Sequence, residues 1–163
     1  MISLRPAYPD ETASLTALCL RSKAVWGYTS EFMDACRPEL TLTEESIASS
    51  RVEVAEIDGR LVGMAQLTIR ENVAELDKLF VEPDYLRSGA GRALFTWAKA
   101  EASRLGAAVL LTDADPHAAN FYRRLGASDD GLVQSTSIPG RLIPRLKVEL
   151  EHHYISVSMR QIR

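Results

Sequence analysis

Leu79-Phe80-Val81-Glu82-Pro83-Asp84-Tyr85-Leu86-Arg87-Ser88-Gly89-Ala90-Gly91-Arg92-Ala93-Leu94 holds a strand end, a glycine-rich turn and a helix start in one short stretch. Upstream, Leu76 to Val81 reads as strand; downstream, Ala93 to Ala100 reads as helix. A turn of this kind leaves backbone N–H groups at the helix N-terminus without partners, and the positive end of the helix dipole adds to them. Glycine lets a bulky anion approach the backbone and reaches positive φ at little cost. Arg87 to Arg92 is therefore a candidate cradle for a phosphate or pyrophosphate. A glycine pair one residue apart also serves plain helix packing, so the turn alone leaves both readings open.

The 163 residues, 46% of them hydrophobic, suit one globular domain spanning 1–163 with a substantial core. A net charge of −3 without a basic run argues against a general nucleic-acid binder. No segment reaches the roughly 18 apolar residues of a membrane span, and the N-terminus does not read as a signal peptide. Cys19 and Cys36 lie in helical segments without metal-ligand spacing, and they read as reduced thiols of a cytoplasmic protein. His152-His153 has no carboxylate or cysteine at a suitable spacing, so no metal is expected.

Working outward gives alternating strands and helices. Residues 2–5 predict a strand, and Pro9-Asp10-Glu11 starts a helix carrying Leu15, Leu18 and Cys19. Residues 30–37 and 43–49 predict shorter helices, the second capped by Thr43. Residues 51–57 and 61–69 are strand-like runs joined by the hairpin signal Asp58-Gly59, and 73–82 continues the antiparallel meander. The helix opened by the glycine turn runs to about Leu105, with Leu94, Phe95, Ala98, Ala102 and Leu105 on one face. Ala107 to Thr112 is a continuous apolar run, as a buried parallel strand requires. Pro116 to Leu125 predicts a helix, strands follow at 131–137 and 143–150, and Tyr154, Ser156, Val157 and Met159 suggest an edge piece.

This order, with two sequence motifs, resembles the Gcn5-related N-acetyltransferase (GNAT) superfamily. The first motif, (Q/R)-x-x-G-x-(G/A), falls on Leu86 to Gly91; the second falls on Asp115-Pro116-His117-Ala118-Ala119-Asn120-Phe121-Tyr122-Arg123-Arg124-Leu125-Gly126. Two departures stand out: Leu86 occupies the Gln/Arg position, and Asp115 stands where Asn is common. The resemblance covers nearly the whole chain. It implies an α/β (α+β) fold with an antiparallel N-terminal meander and a splayed parallel strand pair. The implied activity is transfer of acetyl from acetyl-CoA to a primary amine of a small molecule or peptide, without a metal. A CoA-binding regulatory or inactive module, and transfer of another acyl group, remain alternatives because fold does not fix function.

Carried over by position, the resemblance implies that the backbone of Leu79, Phe80 and Val81 pairs with the pantetheine arm. It likewise implies that Arg87, Ser88, Gly89, Ala90, Gly91 and Arg92 hold the pyrophosphate, and that Asp115 and Asn120 lie on the cofactor side. Tyr122 occupies the position most often used as general acid toward the leaving thiolate; otherwise it is an amphipathic core tyrosine. Glu75, fourteen residues before Gly89, matches the spacing of a base glutamate in one branch of the superfamily. Asp77 lies two residues on, so strand alternation puts both carboxylates on one face, an arrangement that tends to raise one pKa of such a pair and suits a base acting through water. The bland alternative for both is solvent exposure or pairing with a cation. A further base position of the superfamily is Leu110 here, which carries no titratable group. Trp26, Tyr28, Phe32 and Arg141 are candidate walls of the acceptor pocket, Trp26 being equally readable as a core residue. His117 reads as a surface residue at a helix start. Many relatives are homodimers, which makes a homodimer possible here.

Overall fold

The computed structural model describes residues 1–151, so the suggested edge piece and His152-His153 lie outside the described residues. β1 (Ile2–Pro6) pairs antiparallel with β2 (Arg51–Ile57). Between them run a short 3-10 turn at Pro9–Glu11 and three helices, α1 (Thr12–Ala24), α2 (Ser30–Leu40) and α3 (Glu44–Ser49). β3 (Arg60–Arg70) and β4 (Val73–Val81) complete the meander. α4 (Ala90–Arg104), β5 (Val109–Asp113), α5 (Ala119–Arg124), β6 (Ser128–Gln134) and β7 (Leu142–Glu149) follow. The seven strands form one mixed sheet in the order β1-β2-β3-β4-β5-β7-β6, with β4 and β5 parallel and the other pairs antiparallel.

Helices cover both faces because the strands present apolar side chains to both. On one face Leu67, Ala74, Leu76 and Val81 pack against Leu94, Phe95, Ala98 and Ala102 of α4 and against Tyr122 of α5. On the other, Val52, Val54 and Met64 pack against Leu15, Leu18 and Cys19 of α1 and Cys36 and Leu40 of α2. Each fully buried leucine of these layers contributes roughly 1.5–3 kcal/mol of hydrophobic stabilisation.

Several boundaries move from their sequence-based positions. α2 runs through Pro38 to Leu40 instead of stopping at residue 37, because a proline in the last turn forfeits only one backbone bond; the Thr41 hydroxyl then donates to the Arg37 carbonyl at 2.7 Å. The predicted helix at 116–125 shortens to α5. Residues 115–118 form a separate turn, closed by Ala118 N–H donating to the Asp115 carbonyl at 2.8 Å. β6 begins at Ser128, three residues before its expected start, since Asp129-Asp130-Gly131 is an irregularity within an exposed edge strand and not a turn.

Two features position the site. β4 and β5 pair only at Val73–Val109, Ala74–Leu110 and Glu75–Leu111 and then splay into a fork. In addition, the β3–β4 register slips, with Gln66 opposite Lys78 and Leu67 opposite Leu76, so Asp77 is an extra, bulged residue.

Candidate active site

The glycine turn forms one end of a groove. Gly89 takes φ +91° immediately before α4, and Ser88 Oγ accepts from the Ala90 amide at 3.2 Å. Helical geometry leaves the next amides of the first turn free for an anion. At Gly91 a Cβ would sit 3.2 Å from Cζ of Phe121, so only a glycine leaves this wall open. The groove, about 380 Å3, continues along Leu79, Phe80 and Val81 to Asp115, Ala118 and Tyr122, with Arg87 and Arg124 at its charged end. Exposed Leu86 lines it as an apolar contact where the motif has a polar one. Past Glu75 the β4 edge has no β5 partner, which leaves the strand segment with Leu79 and Val81 open to an added strand. A CoA-like donor fits these features: backbone amides and arginines for its phosphates, a free strand edge for its amide arm.

At the fork, Tyr122 stands between this groove and a chamber of about 100 Å3. Its residue surface is only 5% exposed, and burial pushes its hydroxyl up to about 12 against the smaller opposing effect of the Thr112 side chain. The Thr112 hydroxyl also donates to the Leu76 carbonyl at 3.3 Å, across the mouth of the fork.

Asp77 lines the small chamber and, with Glu75, a neighbouring cleft of about 340 Å3. The two carboxylates therefore open on one cleft. Asp77 reaches solvent, yet the cleft walls crowd it, and this desolvation pushes its carboxyl up. The Thr68 hydroxyl, which donates to Asp77, and the Lys78 ammonium oppose the rise, and Glu75 adds to it. Asp113 in the same cleft is held by Arg145 at 2.7 and 3.1 Å. Leu110 is buried.

Asp115 is engaged from several sides. Its Oδ2 accepts from the Tyr28 hydroxyl at 2.7 Å and from Lys23 Nζ at 3.1 Å, and its Oδ1 accepts from the His117 amide at 2.9 Å. Burial alone would raise its carboxyl; the Tyr28 hydroxyl, the His117 amide and Lys23 outweigh that and hold it below the ordinary aspartate range. Arg141 Nη2 donates to the Tyr28 hydroxyl at 2.9 Å, and Tyr28 stacks on Phe32 with ring centroids 4.0 Å apart. Trp26, 41% exposed, stacks on exposed His117 at 5.0 Å beside the donor groove and is not a core residue.

Among the cofactor candidates, Ser88, Gly89, Ala90, Arg92 and Asn120 are not among the residues that line the groove, and Asn120 Oδ1 accepts from Arg123 at 2.8 Å. Lys23, which lines both the groove and the chamber, was not among the sequence-based candidates. Its i, i+5 spacing from Tyr28 gives no periodic signal. Burial pushes the Cys36 thiol up, so it faces the chamber protonated and is a poor nucleophile. Among the described residues no group of three or more His, Cys, Asp or Glu is placed to hold a metal. No described helix is long and apolar enough to cross a membrane. A roomier cleft of about 750 Å3 lies by α3, β2 and the end of α4 and shares no lining residue with the groove, the chamber or the neighbouring cleft.

No curated protein matches the chain. Among solved structures, a GCN5-related N-acetyltransferase from Rhodopseudomonas palustris is 24% identical, with 91% of this chain and 95% of that one covered and a TM-score of 0.75. The PaiA N-acetyltransferase of Thermoplasma acidophilum, in complex with coenzyme A, is 18% identical over 91% of this chain and 99% of its own, with a TM-score of 0.76. The ribosomal-protein-S18-alanine N-acetyltransferase of Escherichia coli is 17% identical over 96% and 99%, with a TM-score of 0.71. At these identities the likeness is one of fold. The family described as "Acetyltransferase (GNAT) family" matches residues 17–127, more than half of the sequence, and the chain belongs to that acyltransferase family.

Proposed function

We propose that the chain transfers acetyl from acetyl-CoA directly to a primary amine of a small molecule or peptide, in the cytoplasm. The observation that carries this reading is the fork itself: Tyr122 stands where the donor groove meets a chamber that also holds Asp77. A module that only bound CoA would have no need for both groups at that junction.

The residues divide the work as follows. Arg87 to Gly91 and the edge of β4 at Leu79 to Val81 hold the donor, which supplies the acyl group as a thioester. Glu75 and Asp77 flank the cleft through which the amine arrives. An ordinary ammonium loses its proton only near pH 10, so a carboxylate of this pair must take that proton, directly or through water. The upward shift of Asp77 brings its carboxyl closer to the range in which a base works at neutral pH. Tyr122 keeps its proton throughout that range and presents it to the departing sulfur. The protonated Cys36 thiol favours direct transfer over an acyl-cysteine route.

Thermal shift with CoA and acetyl-CoA, followed by thiol release against a panel of amines, tests the reading. Stabilisation by both donors and amine-dependent thiol release are expected. Absence of stabilisation at millimolar CoA defeats the reading at its strongest point.

A further inference from the structure

The chamber at the fork is lined by charges of both signs. Its upper wall, from α1 and the β6–β7 loop, carries Lys23 and Arg141; its floor, from β4 and β5, carries Asp77 and Asp113, with Glu75 in the adjoining cleft. Several of these charges are already matched. Asp113 is held by Arg145, Lys78 donates to Gln66 at 2.8 Å, and Glu39 accepts from the Ser137 hydroxyl. Lys23 and Arg141 share one carboxylate, Asp115. Glu39, bonded to Ser137 of the loop that carries Arg141, is a second carboxylate on that wall, so its charges balance and its groups differ in which has donors to spare.

Arg141 is the residue with capacity to spare. Its guanidinium carbon lies 4.9 Å from the Phe32 ring centroid and 5.4 Å from that of Tyr28, beside the edges of these two mutually stacked rings. Its side chain is 21% exposed. Only Nη2 is hydrogen-bonded, to Tyr28, and among the described residues Nε and Nη1 have no acceptor. A purely structural arginine would close directly on Asp115, yet Nη2 stops 3.9 Å from Oδ2 with the Tyr28 hydroxyl bonded to both groups. A planar fork, anchored through Nη2 to the Tyr28 hydroxyl and with free donors on the lining of a small chamber, suits a carboxylate.

We propose that Arg141 binds a carboxylate carried by the acceptor, so that the substrate is a small amino acid or related amino-carboxylate whose amino end faces Asp77 and Glu75. This rests on the acyl-transfer reading above. A chamber of about 100 Å3 at the junction admits a small head group of that kind.

The test uses the full-length enzyme with acetyl-CoA and matched acceptors: amino acids, their carboxamides, their decarboxylated amines, and phosphoethanolamine. The carboxylate-bearing member should be used with at least tenfold higher kcat/KM. Arg141→Gln should erase that preference mainly through KM, Arg141→Lys should restore part of it, and calorimetry on the CoA-bound enzyme should show the same loss of amino-acid affinity. The wild-type preference is decisive even if Arg141→Gln folds poorly. Equal use of matched acceptors, a preference for phosphoethanolamine, or an Arg141→Gln loss that is equal for charged and neutral acceptors overturns the proposal. Acetylation without carboxylate preference overturns this inference alone, whereas CoA binding without acetylation of any amine overturns the acyl-transfer reading and this one with it.

Discussion

Alanine at Gly91 separates donor recognition from folding. Gly91 is the second residue of α4 and has no left-handed φ, so alanine suits its backbone. The added methyl would lie 3.2 and 3.3 Å from Cζ and Cε2 of Phe121 and 3.6 Å from Cγ2 of Val81. The contact at 3.2 Å is with the far edge of a ring, which shifts by a few tenths of an ångström. Helix propensity returns about 0.5–1 kcal/mol, so the two effects nearly cancel and Tm should stay within about 2 °C. Donor binding has no such compensation, because the methyl enters the groove where the first-turn amides face an anion. Loss of one charge-assisted hydrogen bond there costs about 1.5–3 kcal/mol, a roughly ten- to hundredfold rise in the Kd for CoA. Gly89→Ala should do the reverse. With φ at +91°, a side chain costs about 1–2 kcal/mol, which lowers Tm by roughly 2–8 °C. Calorimetric titration with CoA, alongside melting curves of both variants, reads the two effects separately. Wild-type affinity in Gly91→Ala would refute the cradle, and a Tm loss equal to that of Gly89→Ala would refute the packing argument.

Tyr122→Phe should lower kcat by about 10²–10⁴ while the Kd for CoA changes no more than a few-fold; a matching loss of CoA affinity would make Tyr122 structural. If Asp77 is the base, the acid limb of the kcat/KM profile lies above the ordinary aspartate value near 3.9 and disappears in Asp77→Asn; a limb kept in Asp77→Asn and lost in Glu75→Gln assigns the role to Glu75. Asp115→Ala strands Lys23 and Arg141 on a mostly buried wall and should cost about 1–3 kcal/mol, or around 5 °C in Tm. Because folding lowers the Asp115 pKa, its contribution is present above about pH 4 and fades as pH falls through the folded value, so wild type and variant should converge in acid. A gap that persists unchanged at pH 3 would show that packing, not charge, is lost.

The parts of the fold legible in the sequence were those with local causes. Asp58-Gly59 announces the β2–β3 hairpin, and the apolar spacing of Leu94, Phe95, Ala98 and Ala102 announces the buried face of α4. β6 was harder, since an exposed edge strand reading Ser-Asp-Asp-Gly has no apolar alternation to reveal it. The bulge at Asp77 is also silent, because a register slip is a property of two paired strands. Its consequence is visible beyond it: Ala74 and Leu76 face α4 before the bulge, and Leu79 and Val81 face it afterwards. Simple alternation carried from Glu75 through Val81 would have turned part of the strand to the wrong layer. Long-range ties escaped for a related reason. Asp115 meets Lys23 and Tyr28 across roughly ninety residues of sequence, and no spacing encodes such a meeting.

The Asp115 contacts also give a structural consequence of one departure from the family motif. An asparagine at this position would present a neutral amide, whereas the carboxylate draws Lys23 and, through Tyr28, Arg141 over the fork. Asp115 itself lines the donor groove and the chamber alike. The wall that carries Lys23 and Arg141 is thus fastened to the same turn that borders the groove. The sheet forgoes β4–β5 pairing beyond Glu75, at the cost of backbone groups left without strand partners. Thr112 answers one of them by donating to the Leu76 carbonyl, and the free edge beyond it remains for a ligand. A sheet that zipped fully closed would satisfy its own backbone and have no room for Tyr122 between groove and chamber. The incomplete pairing is therefore what leaves Tyr122 at the junction of groove and chamber, under a wall that Asp115 ties together.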